Sequence, residues 1–101
     1  MEKTVEEKLP QVRDLCRKYN VRKLELFGSA TNGDFKPESS DVDFIVEFAP
    51  MDCHRHADSF FGMLEDLKTL FNREVDLLEK STIENPYFLE AIELTRKVIF
   101  E

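Results

Sequence analysis

The apolar positions of this chain change period several times, and each change marks an element. Val5, Leu9, Val12, Leu15, Cys16 and Tyr19 recur at helical spacing. Thr4 with Glu7 three residues later reads as a capping box at the start of that helix. Pro10 interrupts the run, so either the helix kinks there or its regular part begins there. Asn20 suits a left-handed cap at the end. Val21 to Phe27 reads as a first strand, and Gly28 to Gly33 as a turn leading into a short helical piece. Asp34 to Ser40 is a loop by composition. Val42, Phe44, Val46 and Phe48 then alternate with Asp41, Asp43, Ile45 and Glu47. That period of two predicts a second strand with one apolar face, closed by Pro50.

Met51 to Ala57 carries no clear period and reads as a loop. From Asp58 to Phe71, residues Phe60, Phe61, Leu64, Leu67, Leu70 and Phe71 mark an amphipathic helix that Asn72 ends. Glu74 to Leu78 is a third strand. Asn85 caps a further helix with Pro86 at its first position, and Phe88, Leu89 and Ile92 are expected to face the core. Val98 to Phe100 either continues that helix or adds a strand. Strands interleaved with helices place the chain in the α/β (α+β) class, with a small mixed β-sheet covered by helices.

Length and composition narrow this. The 101 residues leave room for one small domain, 1–101, and nine phenylalanines supply its core. The balance of 14 basic against 21 acidic residues gives −7 and argues against unaided binding to a nucleic-acid backbone. A basic protein partner or a metal-bound nucleotide fits that charge better. No apolar run reaches transmembrane length, and the first residues show no signal-peptide pattern. Cys16 and Cys53 do not make a disulfide framework, and a reducing cytoplasm is the simplest expectation.

The chemistry concentrates at two places. A Gly28-Ser29 pair closes the first strand, and Asp41-Val42-Asp43 opens the second. Asp41 and Asp43 share a strand face, where two carboxylates repel by roughly 2–3 kcal/mol at an effective dielectric near 20. A strand tolerates that most easily with a cation between them, and hard oxygen ligands favour Mg²⁺ bridged to a substrate's phosphates. Gly28 lets the backbone approach those phosphates without a Cβ, and Ser29 can donate its hydroxyl to one of them.

Gly28-Ser29, eleven intervening residues, and Asp41-Val42-Asp43 resemble the nucleotidyltransferase signature of the DNA polymerase β superfamily. Within it the chain resembles the minimal nucleotidyltransferases (MNT), small domains often encoded beside a HEPN toxin. The resemblance covers nearly the whole chain, from Lys23-Leu24-Glu25-Leu26-Phe27 through Glu74-Val75-Asp76-Leu77-Leu78 to Asn85-Pro86-Tyr87-Phe88. It implies a palm-like fold and a Mg²⁺-dependent transfer of AMP from ATP to a hydroxyl. It also implies a third carboxylate, for which Asp76 is the candidate, opposite in face to Val75 and Leu77. The implied acceptor is a tyrosine hydroxyl of a HEPN toxin, which makes the chain an antitoxin of the type VII kind.

One departure stands out. Many relatives read Gly-Ser-x-Ala-Arg-Gly, whereas this chain has Thr31-Asn32 before Gly33. Asn32 can hydrogen-bond to a nucleotide but brings no charge, and Lys36 is the nearest substitute. The alternative function is therefore a non-catalytic binding module that neutralises the toxin by complex formation. Cys53-His54-Arg55-His56 matches no zinc spacing and reads instead as a polar loop near the mouth of the site. Met51 to Ala57 and Asp34 to Ser40 flank the aspartates in sequence and are expected to form a partner-contact rim.

Overall fold

The computed structural model describes residues 3–28 and 42–101. Its centre is a four-stranded mixed sheet in the order β3-β2-β1-β4. The strands are β1 (Val21–Phe27), β2 (Val42–Phe48), β3 (Val75–Glu79) and β4 (Lys97–Phe100). β1 pairs antiparallel with both β2 and β4, while β2 and β3 run parallel. The parallel pair requires a long crossover. It is supplied by α3 (Cys53–Phe71).

Strand alternation divides the side chains between two faces. On one, Leu24 and Leu26 of β1, Val42, Phe44 and Val46 of β2, and Val75 and Leu77 of β3 are buried in the main core. This face is covered by α1 (Lys3–Glu7), α2 (Leu9–Lys18) and α3 through Val5, Val12, Cys16, Met63, Leu67 and Phe71. Burial of Cys16 pushes its thiol up to about 12, so it packs as a small hydrophobe. On the other face, Phe27, Ile45 and Ile92 form a smaller cluster with Leu78 and Ile83 against it. Ile92 belongs to α4 (Pro86–Thr95), which lies over this second face.

The break at Lys8 separates α1 from α2, and Pro10 sits in the first turn of α2, where no intrahelical donor is needed. Thr4 lies inside α1, so the expected capping box at Thr4 and Glu7 does not start the helix. Asn20 and Asn72 adopt left-handed conformations at φ 57° and 52°, and each ends its helix as the sequence implies. Asn85 Oδ1 accepts from the backbone N–H of Tyr87 and of Phe88. Val98 to Phe100 belongs to a strand, resolving the alternative in favour of β4.

Two further expectations are corrected. Met51 to Ala57 is not a loop throughout, because α3 begins at Cys53, capped by the Asp52 side chain accepting from Arg55 N–H at 2.9 Å. Phe61, expected on the buried face of this helix, is 63% exposed, and its neighbour Phe60 takes the place against the core. Among the described residues no helix is long and apolar enough to cross a membrane.

Candidate functional site

β1 ends at Phe27, and Gly28 follows in the left-handed region at φ +77°. Only glycine takes that conformation without strain. A Cβ on Gly28 would stand 2.7 Å from Asp43 Oδ2, so the missing side chain also makes room for this carboxylate. Phe27 is the register partner of Asp43 on the antiparallel side of β2. Asp76 is the register partner of Asp43 on the parallel side.

In-register partners across a parallel pair project to the same face. Val42 with Val75 and Phe44 with Leu77 enter the main core together, so Asp43 and Asp76 leave the sheet together on the opposite face. Neighbouring strands lie about 4.8 Å apart, which places these two carboxylates side by side. Asp76 is exposed and Asp43 half-buried. Both stand near the start of their strands, and Asp43 lies next to the end of β1. Of the sequence-derived site residues, the structure thus brings together Gly28, Asp43 and Asp76. Ser29, Asn32 and Asp41 lie outside the described residues, as does Asp34 to Ser40.

A hard divalent cation fits the donors present. Two carboxylates on adjacent strands supply oxygen ligands, and the missing Cβ of Gly28 lets the backbone lie close to Asp43 Oδ2. Among the described residues no group of three His, Cys, Asp or Glu side chains is arranged to hold a metal. The Cys53–His56 segment is not at the mouth of this site. His56 Nε2 hydrogen-bonds Glu79 Oε1, and its ring lies 5.3 Å from that of Phe48. Phe48 and Glu79 end their strands, and Phe48 stands five residues beyond Asp43, about 16 Å along β2. The N-terminus of α3 therefore sits at the far end of the sheet, and its role as a rim of the site falls with it.

Sequence reasoning missed Glu25. It lies between Leu24 and Leu26 and is 2% exposed, on the same face as Phe27. Arg96 Nη1 donates to Glu25 Oε2 at 3.2 Å, and Lys23 Nζ lies 3.5 Å from Oε1. Arg96 caps the end of α4 and also meets Glu93 at 3.1 Å. The pair ties α4 to the strand that leads into Gly28. The only local signal was a charged residue inside an apolar strand run.

Comparison with known proteins places the chain in a family. The nucleotidyltransferase domain model matches residues 10–99. A candidate protein adenylyltransferase of Methanocaldococcus jannaschii is 36% identical over 93 residues, covering 84% of this chain and 91% of that protein. The protein adenylyltransferase MntA of Thermococcus cleftensis is 33% identical over 73 residues, covering 72% of this chain and 70% of its own. Among solved structures, an MNT antitoxin in complex with a tri-AMPylated HEPN toxin of Shewanella oneidensis superposes with a TM-score of 0.65. That match has 16% identity and covers 94% of this chain and 71% of the other. A toxin–antitoxin structure with AMP-PNP gives 0.68 at 19% identity, covering 91% and 72%. At such identities the structures attest the fold, while the sequence relatives attest descent. This chain belongs to the nucleotidyltransferase domain family, as a homologue of the MntA-like protein adenylyltransferases.

Proposed function

We propose that this chain, acting as one domain over 1–101, transfers AMP from ATP to a tyrosine hydroxyl of a HEPN toxin and so serves as its antitoxin. The observation that carries the reading is the placement of Asp43 and Asp76 as register partners on one sheet face, with Gly28 against Asp43. The family supports adenylyl transfer to protein, and the partner comes from solved relatives described as HEPN toxin–MNT antitoxin complexes.

Gly28 and Ser29 hold the triphosphate with backbone N–H groups and a hydroxyl, and the Asn32 amide adds an uncharged hydrogen bond. Asp41, Asp43 and Asp76 would hold Mg²⁺, which supplies neutralisation of phosphate charge when bound. Asp76, exposed at the edge of the cluster, faces the incoming acceptor and takes the phenolic proton. The phenolate oxygen forms a bond to the α-phosphorus, the bond from that phosphorus to the bridging oxygen breaks, and pyrophosphate leaves.

The test is intact-mass measurement of the partner toxin after incubation with this protein, ATP and Mg²⁺. A gain of one or more AMP units, absent with Asp43→Asn, is expected. Thr31-Asn32 in place of the usual arginine favours a second reading, stoichiometric neutralisation without transfer. An unmodified but neutralised toxin, with Asp43→Asn as effective as wild type, would establish that reading instead.

A further inference from the structure

Two aromatic side chains stand at the first turn of α4, Tyr87 81% exposed and Phe88 37% exposed. Only Phe88 is tied to the site. Its ring meets that of Phe27 edge-on, with centroids 6.1 Å apart and an interplanar angle of 89°. Phe27 is the register partner of Asp43 and immediately precedes Gly28. Phe88 is therefore one ring removed from the strand ends that carry the candidate phosphate and carboxylate groups.

Its position is fixed from three directions. Phe88, Ile92 and Arg96 follow at four-residue spacing and share one side of the helix. Ile92 packs against Phe27 and Ile45, and Arg96 bonds the buried Glu25. At the other end, Asn85 Oδ1 holds the N–H of Phe88 itself at 3.3 Å. Phe27 supports the ring edge-on from the sheet. A ring so held, still over one-third open to solvent beside a phosphate site, has the features of a stacking platform. Aromatic rings bind nucleobases through their faces, and the contact tolerates different bases because every base has a π-face.

We propose that Phe88 is the platform for the base of the nucleoside triphosphate whose phosphates lie at Gly28, Asp43 and Asp76. The inference rests on the nucleotidyl-transfer reading of that site and adds its base subsite. Tyr87 is the preceding residue in the helix and points about 100° away around the axis, so it takes no part.

The experiment is calorimetric titration of the full chain with ATP and, separately, with inorganic tripolyphosphate, both with Mg²⁺. Wild type is expected to bind ATP more tightly than tripolyphosphate. Phe88→Ala and Phe88→Leu should each lose roughly 5- to 150-fold in ATP affinity, with tripolyphosphate affinity unchanged. Phe88→Leu keeps an apolar contact for Phe27, so it remains informative where Phe88→Ala fails to fold. Phe88→Trp should retain ATP binding, and Tyr87→Ala should leave both ligands unaffected. Equal wild-type affinity for the two ligands, or wild-type ATP binding by Phe88→Leu, overturns the platform and leaves the phosphate site standing. Parallel loss of both ligands in Phe88→Leu, or of ATP in Tyr87→Ala, also overturns it. Failure of wild type to bind either ligand overturns the platform and the phosphate site together.

Discussion

Asp43 of β2 and Asp76 of β3 are direct register partners across a parallel strand pair, and they leave the sheet on the face opposite the main core. Two like charges placed opposite one another on neighbouring strands cost stability, on the order of 0.2–1 kcal/mol. A fold that gains nothing structural from the pair would be better served by an uncharged partner.

Asp76→Asn is accordingly expected to act in opposite directions on stability and on activity. In metal-free, low-salt buffer its melting temperature should rise by about 1–5 °C, and the gain should shrink as salt screens the pair. Adenylyl transfer should fall by roughly 10²–10³-fold. Thermal melts across a salt series and a labelled-ATP assay check both. A lower melting temperature would show that Asp76 has a structural role.

Gly28→Ala and Gly62→Ala separate a site glycine from a packing glycine. At Gly28 the new methyl meets the Asp43 carboxylate at 2.7 Å in a left-handed backbone, a strain of about 1–2 kcal/mol, and transfer should be lost as Asp43 is displaced. At Gly62 the methyl meets the Tyr19 ring, 2.8 Å from Cε1, on the face of the sheet away from the site. That variant should lose stability in urea while each folded molecule keeps wild-type transfer.

Arg96→Met removes the main cation from a carboxylate that is almost wholly buried. Because Arg96 is one-third exposed and Lys23 remains at 3.5 Å, the expected cost is about 1–3 kcal/mol, below that of a fully buried pair. Glu25→Gln keeps a hydrogen-bond acceptor and should cost less. Urea denaturation orders the two. In both, release of α4 should also raise KM for ATP more than it lowers kcat.

These effects also mark what the chain reveals locally. The alternation in Val42 to Phe48, the Asn85-Pro86 start and the asparagine ends at Asn20 and Asn72 are short-range signals, and each was legible. Asp43 was legible from its spacing to Asp41 and Gly28-Ser29, and Asp76 as the third carboxylate that the family resemblance implies, while their partnership depends on register. The first turn of α3 was not, since His54, Arg55 and Asp58 carry no apolar period and their helicity follows from the Asp52 cap. β4 was ambiguous because four residues take strand form by pairing with β1, some seventy positions earlier. Glu25 was not singled out because its partner Arg96 lies 71 residues away.

The Tyr19–Asp66 contact is expected to bend stability at both ends of the pH range. Tyr19 donates its hydroxyl to Asp66, and this hydrogen bond holds the Asp66 carboxyl below its ordinary range and the phenol above its own. Lys18 adds to Asp66 at 3.1 Å. A depressed carboxyl contributes stability above its unfolded pKa and loses it as pH falls through the folded value. A raised phenol contributes below its unfolded pKa and loses it as pH rises through the folded one. Tyr19→Phe should therefore flatten the acid and alkaline limbs of the stability–pH curve together and leave neutral-pH transfer intact. Urea midpoints from pH 3 to 11 give the comparison.

The unequal filling of the two sheet faces bears on how such a domain diversifies. Among the described residues, the cluster under α1, α2 and α3 has fifteen buried side chains, while the one on the face that bears Asp43 and Asp76 has three. Folding free energy thus resides mostly on the face away from the candidate site. Substitutions beneath α4 draw on a small share of the stabilising contacts, so a lineage can reshape acceptor or base preference there and stay folded. Drift on the opposite face is paid in stability and returns no new substrate.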